Sequence, residues 1–222
     1  MSVNLSRSQI LNFVQCPRRF WLEQYHPENE GDVAPMDAYL DAEEAIDATA
    51  RACFEDSEVT RINGRLGLRK AIEQTRASLR DGAVLLDATF EFEGISAQVD
   101  ILDWNQSKRY AITVSAAATV EELHLDDCAL QAWIMRNLDL PEHRFFVALQ
   151  QPQPTAAAAF DEQFALQDIS EQVYERIDRY DSIVHAAREQ HASLDEPDAR
   201  VGSQCEVNYA CPFLEYCGQQ PG

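Results

Sequence analysis

AVLLDATFEF (residues 83–92), ISAQVDILDW (95–104) and YAITVS (110–115) follow one another with only short polar gaps between them. Each alternates apolar with polar or small residues, the two-residue period of a strand with one buried face. Gly94 allows a first tight turn and Asn105-Gln106-Ser107-Lys108 reads as a second, so the three pieces should form a β-meander.

Outward from the meander the period becomes helical. Upstream, Leu68, Ile72, Thr75 and Leu79 fall at i, i+4, i+7 and i+11, with Gly82 as a C-terminal cap. Residues 36–54 are Ala-rich and acidic, with Tyr39, Leu40, Ile46 and Ala50 spaced for a helix packed on one side. Ser6 with Gln9 three residues on is a capping box, opening a helix through Ile10, Phe13 and Val14 that Cys16-Pro17 interrupts. Residues 18–25 resume it, weighted by Phe20, Trp21 and Tyr25, up to His26-Pro27.

Downstream, 119–137 reads as a helix, 144–149 as a buried strand, 150–159 as an exposed Pro-, Gln- and Ala-rich loop, and 170–190 as a helix. The tail from Ser193 is loop-like. Helix, three strands, helix, strand is the order of an α/β (α+β) fold layered around one central sheet, in one domain spanning 1–222.

The net charge of −20 makes the average field repel phosphate backbones, which counts against a general nucleic-acid binder and suits a solvated acidic surface. Arg61, Arg65, Arg69, Lys70, Arg76 and Arg80, with Glu73 the only carboxylate among them, are the local exception where phosphate contact is chemically reasonable. No stretch approaches the roughly 18 apolar residues of a membrane span, and Met1 to Ser8 lacks a signal pattern. The expectation is a cytoplasmic protein with no membrane partner.

Three of the six cysteines close the chain, in Cys205-Glu-Val-Asn-Tyr-Ala-Cys211-Pro-Phe-Leu-Glu-Tyr-Cys217. Gaps of five residues are wider than zinc sites usually show, whereas iron–sulfur clusters take thiolates at irregular spacings with a distant fourth ligand. Cys16, at the helix break near the N-terminus, is the natural fourth. A [4Fe-4S] cluster on Cys16, Cys205, Cys211 and Cys217 would clasp 1–30 and 193–222 into one cysteine subregion. Zinc on the same thiols, or plain packing, are the alternatives. Cys53 and Cys128 lie in helices and read as core residues.

Leu5-Ser6-Arg7-Ser8 leading to Cys16-Pro17-Arg18-Arg19-Phe20, then Asp87-Ala88-Thr89-Phe90, Val99-Asp100-Ile101-Leu102, His124-Leu125-Asp126-Asp127 with Gln131, and the cysteine tail occur in one order. In these the chain resembles the iron–sulfur PD-(D/E)XK nucleases, which include CRISPR-associated exonucleases and the nuclease domains of AddB-type recombination helicases. The likeness is nearest to an uncharacterised bacterial branch. It implies a restriction-endonuclease-like sheet flanked by helices, a DNA repair or defence setting, and Mg²⁺ or Mn²⁺ in an active member. There two carboxylates hold the metal, the metal activates a water, and a Lys orients it.

By the same resemblance Asp100 matches the family Asp and is the candidate Mg²⁺ ligand, and Asp87 stands where many members carry Glu. Thr113 and Ser115 occupy the Glu and Lys positions, so hydroxyls replace two charges. Glu43 or Glu44 lies where a helical His often assists, and Gln131 keeps its place while its usual Tyr partner is Met135. Asp100, Asp87 and Gln131 are therefore remnants of a catalytic set. Apart from the family, Asp100 reads as a solvent-facing strand-end carboxylate and Gln131 as a surface helix residue. The expectation is a degenerate nuclease-like protein acting by binding DNA or a protein. One alternative is a nuclease with carboxylates such as Asp87, Glu91 or Glu121 migrated into the metal site, with only Lys70 and Lys108 as lysines. The other is an acidic interaction module.

Overall fold

The computed structural model describes residues 4–31, 34–54, 58–80, 82–105, 108–151, 159–206 and 211–219, with backbone alone for 34–40. The chain enters through a two-residue strand, β1 (Leu5–Ser6), which runs directly into α1 (Arg7–Gln15). Gln9 N–H donates to Ser6 Oγ at 3.3 Å and Ser6 N–H donates to Gln9 Oε1 at 2.8 Å, the reciprocal cap that their spacing predicts. Pro17 has no N–H to continue the ladder, so Cys16 is extended and α2 (Pro17–Tyr25) starts afresh.

Next come α3 (Ala34–Ala52), a short β2 (Thr60–Arg61) and α4 (Leu68–Ser78). The helix α4 stops short of Gly82; that glycine, at φ +78°, instead turns the chain into the meander and bonds Trp104 O at 3.1 Å. The meander is β3 (Ala83–Phe92), β4 (Ile95–Asn105) and β5 (Lys108–Ser115), antiparallel throughout. Glu93 and Gly94 both have positive φ in the first turn, as a two-residue hairpin needs. Gln106 and Ser107 of the second turn lie outside the described residues.

α5 (Glu122–Asn137) carries the chain back so that β6 (Arg144–Gln150) lies parallel to β5. Of the loop expected over 150–159, residues 152–158 lie outside the described ones, and Gln150 itself ends β6. Then come α6 (Phe160–Gln163) and β7 (Phe164–Asp168), neither of which the periodicity signals. β7 is an edge strand with only Phe164 buried, so it has no alternation to read. The helix expected over 170–190 is two, α7 (Ser170–Ile177) and α8 (Tyr180–Ala192). At the break between them, Tyr180 OH donates to Asp126 O at 2.6 Å and the side chains of Arg176 and Arg179 reach the Asp126 carboxylate. α9 (Leu214–Gly218) closes the described tail.

Seven strands form one mixed sheet in the order β2-β3-β4-β5-β6-β7, with β1 paired to β4. One face packs on α1, α4, α5, α7 and α8 through residues such as Ile10, Ala71, Leu130, Val173 and Val184. The other is covered by Ile46 and Ala50 of α3 with Phe160 and Phe164. The molecule is thus α/β, a mixed sheet between two helical layers. No helix among the described residues is long and apolar enough to cross a membrane.

Candidate functional site

The sheet opens at Asp100. The β3–β4 ladder pairs Leu86 with Ile101 and Ala88 with Val99, but skips Asp87 and Asp100 between them. Asp87 has a φ of +62°, and on each strand the buried face flips across this point. Leu86 and Ile101 face the α3 side, while Ala88 and Val99 face the opposite core. One step on, the β4–β5 ladder ends at Ile101 and Ile112. Beyond it Thr113, Val114 and Ser115 pair with β6, while Ile95 and Ser96 at the start of β4 pair with β1. The two strands diverge, and Asp100 bridges the fork by accepting the Val114 N–H at 2.9 Å.

From α1, the Arg7 guanidinium enters beside this carboxylate. Its Nη2 donates to Asp127 Oδ2 at 2.7 Å, and its Nε lies 2.5 Å from Oδ1 in an ion-pair contact that leaves Oδ1 without a hydrogen-bond partner among the described residues. Asp127 comes from α5, as does Gln131, whose Nε2 donates to Asp127 Oδ2 at 3.0 Å. Gln131 is buried, contrary to its reading as a surface residue, and its Oε1 has no hydrogen-bond partner among the described residues. Nor is Asp100 a strand-end carboxylate: it lies mid-strand and half-buried. Burial pushes its pKa up to about 7, with Arg7 and the Val114 N–H pulling the other way and Asp47 adding to the rise.

This shift has a testable sign. The folded carboxyl holds its proton up to about pH 7, whereas the unfolded one releases it near ~3.9. Its contribution to stability is therefore full in acid and lost as pH rises through about 7. Asn resembles the protonated acid, so Asp100→Asn should gain on wild type steadily between about pH 5 and about pH 8, read as urea midpoints. A gap that moves the other way would contradict the assignment.

On the α3 side, Asp87 Oδ1 accepts from Arg51 Nη2 at 2.8 Å and from Gln98 Nε2 at 2.9 Å. Asp47 flanks Arg51 at 3.3 Å. Glu43, rather than the exposed Glu44, reaches the fork: its Oε1 accepts from Ser115 Oγ and from the Ala116 N–H, each at 3.1 Å. His124 Nδ1 accepts the Glu121 N–H at 2.9 Å, which leaves the proton on Nε2, 2.9 Å from Ser115 Oγ. Burial, reinforced by Arg7, lowers the His124 pKa to about 4, so the ring is neutral. The proton direction is His124 to Ser115 to Glu43. A histidine that donates to the serine cannot be its base, so this is not a nucleophilic triad. Thr113 turns the other way, against the Cys128 thiol at 3.4 Å.

Chemically, the fork is a set of carboxylates paired with guanidinium groups, hydroxyls and backbone N–H donors, with Asp127 Oδ1 and Gln131 Oε1 lacking hydrogen-bond partners among the described residues. The proposed migrants are engaged elsewhere. Glu91 accepts the Gly94 N–H at 2.6 Å, Glu121 caps α5 and Asp87 is held by Arg51. Among the described residues, no group of three or more His, Cys, Asp or Glu could hold a metal ion. Arg7 is the partner that residue types alone do not signal. Its one sequence clue is position: a cation in the first turn of a helix opposes the helix dipole, so something else must favour it.

The second constellation joins the chain ends. Cys16, Cys205, Cys211 and Cys217 line one small cavity with Arg19 and Phe213. None is in a disulfide. The Cys211 N–H donates to Cys205 O at 2.7 Å, Gln15 Nε2 to Gln204 O at 2.9 Å, and the Trp21 indole to Ser193 O at 3.2 Å. Burial pushes the Cys211 thiol up to about 11, with Arg19 opposing; burial also raises Cys217, with Arg18 opposing. Cys128 is wholly buried in the core, while Cys53 packs half-buried at its edge.

Compared with known proteins, the chain matches no family model and no curated protein.

The Arg61–Arg80 region forms a third feature. Arg61, Arg65, Arg69, Lys70, Arg76 and Arg80 are all exposed, while Ala71 and Thr75 face the sheet. Arg69 pairs with Glu73 at 3.0 Å in solvent, which neutralises little.

Proposed function

We propose that this chain is a PD-(D/E)XK-like scaffold without hydrolytic chemistry, acting by binding nucleic acid. The observation that carries the reading is the occupancy of the fork. Asp100 stands there with Thr113 and Ser115 at the positions the resemblance gives to a second carboxylate and a lysine, Glu43 is held by Ser115 and the Ala116 N–H, and a guanidinium pairs Asp127. Neutral hydroxyls are poor ligands for a hard divalent cation, and neither can offset charge on a phosphate. The chain's two lysines, Lys70 and Lys108, lie on α4 and at the start of β5 rather than at the fork.

The element order supports the fold part of the reading: a helix, three antiparallel strands, a crossover helix and a parallel strand. For the cofactor, support comes from donor chemistry. Four thiols from both ends line one cavity with no carboxylate or imidazole among them, which suits a soft metal. A single zinc would draw its thiolates to about 2.3 Å from one point. The irregular five-residue gaps and the distant fourth thiol are the reason an iron–sulfur cluster is proposed over zinc. Cys16, Cys205, Cys211 and Cys217 would hold it, as a structural crosslink between the chain ends.

Two measurements test the reading. Neither single- nor double-stranded DNA should be cut in Mg²⁺ or Mn²⁺; cleavage abolished by Asp100→Asn would sink it. Fluorescent DNA should bind with log affinity falling by roughly 0.9 per neutralised phosphate per log unit of salt. Changing Arg69, Arg76 and Arg80 to Glu should remove that binding. The acidic-module reading, which the −20 charge favours, predicts instead no DNA affinity at any salt.

A further inference from the structure

We infer that Arg7 is a built-in cation, standing at the fork where a divalent ion would otherwise be required, so that this fork takes no metal. The inference rests on the scaffold reading above and says how the fork stays stable without a metal.

The need for a cation there is electrostatic. Asp47 and Asp127 both disfavour the charged form of Asp100, Asp87 disfavours that of Asp47 and Asp126 that of Asp127. Carboxylates gathered in a partly dry space either bind a cation or keep protons. Arg51 serves the Asp47 and Asp87 end. Arg7 serves the other end, with its ion pair to Asp127 and its field on Asp100.

The backbone holds Arg7 to this task. Leu5 and Ser6 pair with Ile95 and Ser96, the Leu5 N–H donates to Gly94 O at 3.0 Å, and the Ser6 cap fixes the first turn of α1. The Arg7 Cα is therefore anchored to the same strand that carries Asp100. Its side chain is 37% exposed whereas that of Asp127 is 2% exposed, so the guanidinium closes the space from the solvent side. The ligand inventory agrees: with Arg7 in place, Asp127 is paired with it and with Gln131, and Glu43 accepts from Ser115 Oγ and the Ala116 N–H, leaving Asp100 on the Val114 N–H. Those residues do not fit Mg²⁺ or Mn²⁺.

Manganese binding, followed by the electron paramagnetic resonance signal of free Mn²⁺, tests this directly. Wild type should show no saturable site at millimolar Mn²⁺. Arg7→Gln should bind at least about tenfold more tightly, and adding Asp100→Asn should abolish the gain. A folded Arg7→Gln chain that gains nothing overturns the inference. A second arm needs no change at Arg7: added Mn²⁺ should leave the wild-type melting temperature unmoved, and a rise that Asp100→Asn removes also overturns it. Loss of this inference would leave the scaffold reading standing, because that reading falls with DNA cleavage and not with metal binding.

Discussion

Replacing Arg7 with alanine should cost about 2–4 kcal/mol of folding stability, because it strands the buried Asp127 carboxylate without its cation. Breaking a buried ion pair from one side typically costs about 3–5 kcal/mol; solvent access to Arg7 lowers the expectation. For a chain of this size each kcal/mol moves the midpoint by roughly 2–4 °C, so thermal and urea unfolding both read the loss. Arg7→Lys, which keeps the charge but not the planar guanidinium, should fall between. Asp127→Asn in the Arg7→Ala background should recover part of the deficit, since the stranded charge is then gone. An Arg7→Ala chain as stable as wild type would mean that the pair contributes nothing and that the fork has another source of balance.

With the proposed cluster, anaerobically purified protein should be brown, and Cys16→Ser or Cys211→Ser should remove that colour and its broad absorption near ~400 nm. The same change should free the ends of the chain. Contacts between α2 and residues 191–196, such as Trp21 to Ser193, Tyr25 to His191 at 2.8 Å and Arg18 to Glu196 at 2.5 Å, then hold the ends without a crosslink. Proteolysis of the tail should accelerate, and the metal-free wild type should behave likewise. Cys53→Ser is the control, since it lies against the α3-side core, away from that cavity, and should keep full colour. A colourless wild type containing one zinc per chain would replace the cluster with a mononuclear site.

Much of this architecture is legible in the order of residues because its signals are local. The alternation in β3, β4 and β5, the positive-φ turn at Glu93 and Gly94, the Ser6–Gln9 cap and the break at Pro17 each rest on neighbours within a few positions. So does the exposure of Arg69, Lys70 and Arg76, which follows from the apolar spacing on the other face of α4. β7 escaped because a solvent-exposed edge strand needs no pattern, and the helix over 170–190 reads as one because its bend is set by bonds to Asp126, more than fifty residues away.

The candidate site divides the same way. The charge-poor pair Thr113 and Ser115, the place of Asp100 and the cysteine tail are facts of order and spacing, available before any coordinates. That Asp100 bridges diverging strands, that Gln131 is buried, and that Arg7 meets Asp127 across 120 positions depend on how β1, β4 and α5 assemble. Hydrogen bonding along a strand or helix is written in near neighbours, so sequence order determines it. Charge balance inside the fold sums over whatever the packed layers bring within a few ångströms, and only the tertiary structure decides that sum.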